Sequence, residues 1–207
     1  MNIKSLFSPY QYKNLILSNR FVMAPMTRVF SPNGIPSDAV ANYYQKRAMG
    51  NVGLILTEGT VVNRPASKNL NDIPNFYGKE ALSGWQNVVE KVHHANGKIA
   101  PQLWHVGNTP ISDWRPGTGF ESPDTMTAED IENTIQAFAD AALNAKSLGF
   151  DAFEIHGAHG YLIDQFFWEG TNNRKDAYGG KTLKERSRFA VEVIKAMRNA
   201  VGPDIRS

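Results

Sequence analysis

The chain has 207 residues, 42% of them apolar and 20% charged, an ordinary composition for a globular protein with one sizeable core. Its 22 basic and 20 acidic side chains leave a formal charge of +2, too even a balance to point to nucleic acid or an acidic membrane as partner. The absence of cysteine excludes disulfide frameworks, thiolate nucleophiles and cysteine-ligated zinc or iron–sulfur centres within this sequence. The longest membrane-like apolar run, residues 52–56, is interrupted by Gly53 and falls far short of the ~20 residues of a spanning helix. Residues 1–13 lack the unbroken apolar stretch of a secretory signal, so the expected location is the cytoplasm.

Beyond an N-terminal segment, residues 1–18, short apolar runs alternate with amphipathic stretches, the rhythm of βα units around a parallel sheet. The first predicted strand is Arg20 to Met26. Ser37 is placed to cap a helix ending at Met49, with Gly50 as its stop, and Val52 to Glu58 reads as the second strand. Leu82, Trp85, Val88, Val89 and Val92 recur at helical spacing and predict a helix over 79–95 closed by Gly97. Lys98 to Trp104 follows as the third strand. Residues 105–126 have no periodicity, carry Pro110, Pro116, Gly117, Gly119 and Pro123, and exceed ordinary connection lengths, which marks a functional loop.

Thr127 and Asp130 form a capping box ahead of an apolar stripe from Ile131 to Leu148, ended by Gly149. Asp151 to His156 reads as the fourth strand, 160–168 as a short helical or turn segment, and 183–200 as a further long helix. A fifth strand should begin near Gly202, yet only a few residues remain. A closed (βα)8 barrel takes ~250 residues. The fold expectation is therefore α/β of the TIM-barrel type, a single partial domain spanning 1–207 with about the first four βα units over 19–207.

Parallel α/β folds collect catalytic groups at the strand ends, which directs attention to Thr27 and Arg28, Glu58 and Gly59, Gln102, Trp104 and His105, then His156, His159 and Tyr161. Three readings of the His156 and His159 pair stand side by side. It lacks the helical spacing of zinc proteases and an evident third ligand, so a metal site is one reading and two unrelated polar turn residues another. In the third, two neutral imidazoles donate hydrogen bonds to a developing oxyanion, with the protonated phenol of Tyr161 at hand as acid. Gln102 and Trp104, two apart on one strand, face the same side. Gly117-Thr-Gly119 lacks the context of a dinucleotide fingerprint, and neither a phosphate loop nor a serine nucleophile elbow occurs. His93 and His94 fall on a helix and suit a surface role.

Taken together, Met23-Ala-Pro-Met-Thr-Arg28, Thr57-Glu-Gly59, Gln102-Leu-Trp-His-Val-Gly107, Glu154-Ile-His-Gly-Ala-His-Gly-Tyr-Leu162, and Asn173-Arg174 with Asp176-Ala-Tyr-Gly-Gly180 resemble the Old Yellow Enzyme family of FMN-dependent ene-reductases. The blocks run in the family's order over almost the whole chain. The resemblance implies that Pro25, Met26 and Thr27 line the flavin, that Gly59 admits it closely and that Gln102 bonds its pyrimidine part. It makes Trp104 a wall of the substrate pocket, His156 and His159 the donors to the substrate carbonyl, and Tyr161 the proton donor. NADPH or NADH would be the reductant and a small-molecule activated alkene the substrate. Arg174 and Asp176 would fix the loop after the fourth strand.

The family's flavin-phosphate residues follow strands seven and eight, and its flavin-contacting arginine on strand five is not transferred to Arg206. Two expectations result: an ene-reductase whose second half is missing from this chain, or a non-catalytic half-barrel that does not bind FMN alone and self-associates or pairs with another chain through its exposed edges. Larger relatives with an appended iron–sulfur site form a third, narrower alternative.

Overall fold

The computed structural model describes residues 3–202; the expected fifth strand after Gly202 and Arg206 lie outside them. A short hairpin, β1 (Tyr10–Tyr12) and β2 (Leu15–Leu17), precedes the main sheet. Nothing in the sequence pattern marks it, because its turn lacks the usual glycine and instead puts Lys13 at a left-handed φ of 51°. The main chain then runs β3 (Val22–Met23), α1 (Asp38–Met49), β4 (Leu54–Val61), α2 (Lys79–His94), β5 (Ile99–Trp104), α3 (Ala128–Ser147) and β6 (Glu154–Ile155). It closes with α4 (Leu162–Phe167), α5 (Leu183–Arg186) and α6 (Arg188–Val201).

The four strands β3-β4-β5-β6 lie parallel in sequence order, with Met23 opposite Ile55, Ile55 opposite Ile99, and Gln102 opposite Glu154. This is the curled, partial (βα)8 sheet that the sequence predicts. The outer strands are shorter than expected: β3 covers two residues of 20–26 and β6 two of 151–156. Among the described residues each has a strand partner on one side only. Single hydrogen bonds, Asp151 N to Ile99 O at 3.0 Å and His156 N to Leu103 O at 2.9 Å, nevertheless hold the expected fourth strand to β5 along its length.

Helix ends follow local chemistry, with corrections. At α3 the capping box forms as expected: Asp130 N donates to Thr127 Oγ1 at 3.1 Å, and Thr127 N to Asp130 Oδ2 at 2.9 Å. Ser37 stands at the cap position of α1 without using its hydroxyl, and Asp38 beside it takes Lys91 and Asn87 of α2 instead. The left-handed residues after α1 and α2 are Asn51 and Asn96, not Gly50 and Gly97. Gly97 is small for another reason, since a Cβ there would sit 2.5 Å from that of Ala48 on α1. The predicted helix 183–200 is interrupted at Ser187, so that a one-turn α5, with its own capping box from Thr182 and Glu185, precedes α6.

The core lies between the sheet and its helices, around Tyr44 of α1, Trp85 of α2, Phe138 of α3 and Phe189 of α6. His93, expected to have a surface role, is half-buried and bonds Oδ2 of the buried Asp151 at 2.8 Å, and Lys98 reaches Oδ1 at 3.0 Å. Asp151 is thereby tied across the end of the sheet from which β5 starts.

Candidate active site

Because the four strands are parallel, their C-terminal ends gather Pro25 to Arg28, Glu58 and Gly59, Gln102 to His105, and His156 to Tyr161 at one mouth. Chain direction alone accounts for this collection, and side-chain packing then sorts it.

Trp104 at the end of β5 anchors one group. Its indole stacks at 5.8 Å and 23° on the His156 ring and meets Tyr161 edge-on at 4.7 Å. His156 lies 4.8 Å from Tyr161 and 5.4 Å from His159, both edge-on. Two imidazoles, a phenol and an indole thus share one small space. His159 reaches it from a left-handed backbone, φ 61°, just before Gly160 at 75°, a tight turn that brings Tyr161 to the N-terminus of α4. Burial, with the neighbouring His159, lowers the His156 pKa to about 4, so its imidazole is neutral at pH 7 and has one N–H to donate. Burial raises Tyr161 above the ordinary phenol value, so its hydroxyl keeps its proton.

Gln102 and Gly59 pair directly across β4 and β5. The Gln102 carboxamide is fixed by donating from Nε2 to Glu154 Oε1 at 2.7 Å, a partner the strand pattern contained but gave no role. Gly59 has a packing reason of its own to lack a side chain: a Cβ would meet Trp104 Cε3 at 2.5 Å. Gly59→Ala is therefore expected to displace the indole and cost about 1–3 kcal/mol, read as a lower melting temperature with an altered near-ultraviolet circular dichroism band. An unchanged band would mean that the indole has room to move.

Pro25 is half-buried while Met26 and Thr27 are exposed, so an apolar surface and a free hydroxyl face outward at the end of β3. Other strand-end residues turn away from the mouth. Arg28 folds over the Tyr43 ring at 3.5 Å. His105 is buried: Gly107 N donates to its Nδ1 at 3.0 Å, leaving Nε2 to donate to Glu121 Oε2 at 2.7 Å. Glu121 also pairs with Arg64, which donates to Asp130 Oδ1 at 2.9 Å. Burial lowers the His105 pKa; burial also pushes Glu121 up, but bonds from His105 and Arg64 outweigh it and hold Glu121 ionised.

This network pins the long loop 105–126 to the start of α3. The loop's Phe120 packs on the cluster of Val61, Trp104 and Val106. His105 and Glu121 stand as ionisable residues in a loop without periodicity, but they lie 16 positions apart and Arg64 57 from Glu121, so the sequence does not show that they pair. Arg174 pairs with Asp176 in the segment after the fourth strand and, beyond the role expected of it, also donates to Met126 O at 2.6 Å at the end of the 105–126 loop.

A mouth with an apolar flank at Pro25 and Met26, a hydroxyl, an oriented carboxamide and aromatic walls has the donor set of a flavin ring site. The family model described as NADH:flavin oxidoreductase / NADH oxidase matches residues 5–206. The chain belongs to that family, and within it to the Old Yellow Enzymes.

Among curated relatives of this chain, 12-oxophytodienoate reductase 7 of Oryza sativa subsp. japonica is 40% identical over 224 residues, covering 96% of this chain and 56% of the relative. The putative 12-oxophytodienoate reductase-like protein 1 of Arabidopsis thaliana is 39% identical over 209 residues, covering 93% and 64%. Among solved structures, morphinone reductase in complex with tetrahydroNAD superposes with a TM-score of 0.85 at 33% identity, covering 96% of this chain and 61% of that one. The chain spans a little over half the length of these curated relatives. The relatives are oxidoreductases, and FMN with a nicotinamide reductant is the cofactor set of the family. Among the described residues no group of three or more His, Asp or Glu forms a metal cluster, and no helix is long and apolar enough to cross a membrane.

Proposed function

We propose that the chain carries the ring-binding and substrate-facing wall of an FMN-dependent ene-reductase acting on the activated C=C of α,β-unsaturated carbonyl or nitro compounds. Pro25, Met26, Thr27, Gly59 and Gln102 would hold the flavin ring, and no described residue is assigned to its phosphate. FMN bound there would supply hydride taken from NADPH or NADH. The observation that carries the reading is the cluster in which His156 stands between His159 and Tyr161 under the Trp104 indole.

Each residue's part follows from its chemistry. His156, neutral because it is buried, and His159 donate N–H bonds to the substrate's carbonyl or nitro oxygen, which gains negative charge as the β-carbon is reduced. Tyr161 holds its proton on the phenolic oxygen until the α-carbon becomes basic enough to take it. One hydride and one proton then balance the saturation of one double bond. Trp104 walls the pocket, and the loop pinned by Glu121 keeps Phe120 against that wall and limits water.

A second reading, an open half-barrel that does not hold FMN alone, draws on a different observation. Val22 and Met26 at and just after β3 are 51% and 55% exposed, and Ile194 on α6 is 50% exposed, separate apolar positions that a second copy or another chain could cover. The deciding experiment is the visible absorption spectrum of the purified chain mixed with FMN and then desalted, run beside size-exclusion with light scattering. A retained flavin band supports the ene-reductase reading for this chain. A colourless, self-associated protein supports the half-barrel, and a colourless monomer counts against both.

A further inference from the structure

Glu58 is a carboxylate with 1% exposure in the C-terminal half of β4, and neither substrate binding nor proton transfer uses it. The register of β4 against β5 slips at this point: Leu56 pairs with Ala100 but Gly59 with Gln102, so an extra residue is accommodated around Thr57 and Glu58. Such a bulge re-aims side chains that a regular strand would alternate between faces. The carboxylate reaches the neighbouring edge, where its Oε2 accepts the N–H groups of Arg28 at 2.9 Å and Val29 at 3.3 Å. These are the two amides directly after Pro25, Met26 and Thr27. Thr57, in the same bulge, accepts from Gln102 N at 3.2 Å.

This arrangement persists against evident cost. Val29 is held at φ +57°, where a β-branched residue is a genuine outlier. Glu58 Oε1 and Arg28 Nη1 are buried without a hydrogen-bond partner, and desolvating such groups is expensive. An apolar side chain at position 58 would serve strand packing better than an ionisable one.

We propose that Glu58 is a positioning residue that sets the turn carrying Pro25, Met26 and Thr27, and so aims the Thr27 hydroxyl at the flavin edge. The flavin part of this statement rests on the function proposed above. Glu58 touches no reacting atom. It acts through the two amides, and the strain at Val29 is what that grip imposes.

The test uses the full chain, without flavin for amide hydrogen exchange by NMR and with free FMN for a fluorescence titration. Glu58→Leu is expected to speed exchange at Arg28 and Val29 about tenfold or more, while the Ile55 amide, bonded to Lys98 O within the sheet, keeps its protection. FMN affinity should fall by about the same factor, and Glu58→Gln, which retains an acceptor oxygen, should recover most of both losses. A merely structural role would loosen β4 and β5 together, with no selective recovery by glutamine.

Unchanged exchange at Arg28 and Val29 in Glu58→Leu overturns the proposal, as does faster exchange with unaltered FMN affinity. If Glu58→Leu does not fold, Val29→Gly decides: relief of imposed strain predicts a higher melting temperature with both amides still protected, and a lower one overturns the proposal. Should the unsubstituted chain fail to take FMN, the flavin reading falls for this chain, while the exchange measurements still judge the grip on the turn.

Discussion

Tyr161→Phe, in flavin-loaded protein, is expected to slow alkene reduction by about 10²-fold or more and to leave NADPH-driven flavin reduction nearly unchanged. Phenylalanine keeps the ring that meets Trp104 at 4.7 Å and His156 at 4.8 Å, so only the hydroxyl is lost. That hydroxyl is well suited to the role: burial raises its pKa, keeping it protonated at neutral pH, and the ring sits at the end of a turn that leaves little freedom. Following the two half-reactions separately by stopped-flow absorbance reads the split. Equal loss in both would make Tyr161 a packing residue of the pocket and would remove the proton donor from the mechanism. Substrates whose reduced form is protonated readily by water should be less affected than simple enones, since the phenol's advantage is its placement.

The element order and the parallel sheet were legible in the sequence because they rest on local signals. The apolar stripe of α3 and its Thr127–Asp130 box need only a few neighbouring residues to be read. The clustering of Trp104, His156 and Tyr161 was legible for a related reason: strand ends of a parallel sheet lie at one edge whatever the details. What stayed hidden depends on pairings far apart in sequence. Glu58 was visible as a strand-end carboxylate, but its grip on Arg28 and Val29 requires the bulge in β4, and no periodicity encodes a one-residue slip of register. Similarly, Glu121 gains its meaning from His105 and Arg64, 16 and 57 positions away. The exchange of roles between Gly50 and Asn51 shows the limit of residue statistics: asparagine also accepts a left-handed backbone, and the glycine is not needed for it.

Trp85→Ala is expected to be among the most damaging substitutions in the fold, costing about 3–5 kcal/mol. Trp85 on α2 is fully buried, with Phe76 at 5.9 Å and Phe150 at 6.1 Å, themselves 5.6 Å apart. Removal leaves a cavity that Phe76 and Phe150 cannot readily close, because their backbones are held, Phe76 N donating to Val61 O at 2.8 Å and Phe150 N to Ala145 O at 3.0 Å. It also takes away the donor to Asn75 O, 3.0 Å from Nε1. Asn75 matters beyond that bond, since its backbone N donates to Gly34 O at 2.8 Å and joins the segment before α1 to the segment before α2. Against a total stability of about 5–15 kcal/mol for a typical domain, such a loss takes a large share. Urea titration followed by circular dichroism measures it. Trp168→Ala is the control: that indole is 62% exposed, and its removal should stay within about 0.5 kcal/mol. Similar losses for the two tryptophans would show that Trp85 is not the centre of the packing between α1, α2 and the sheet.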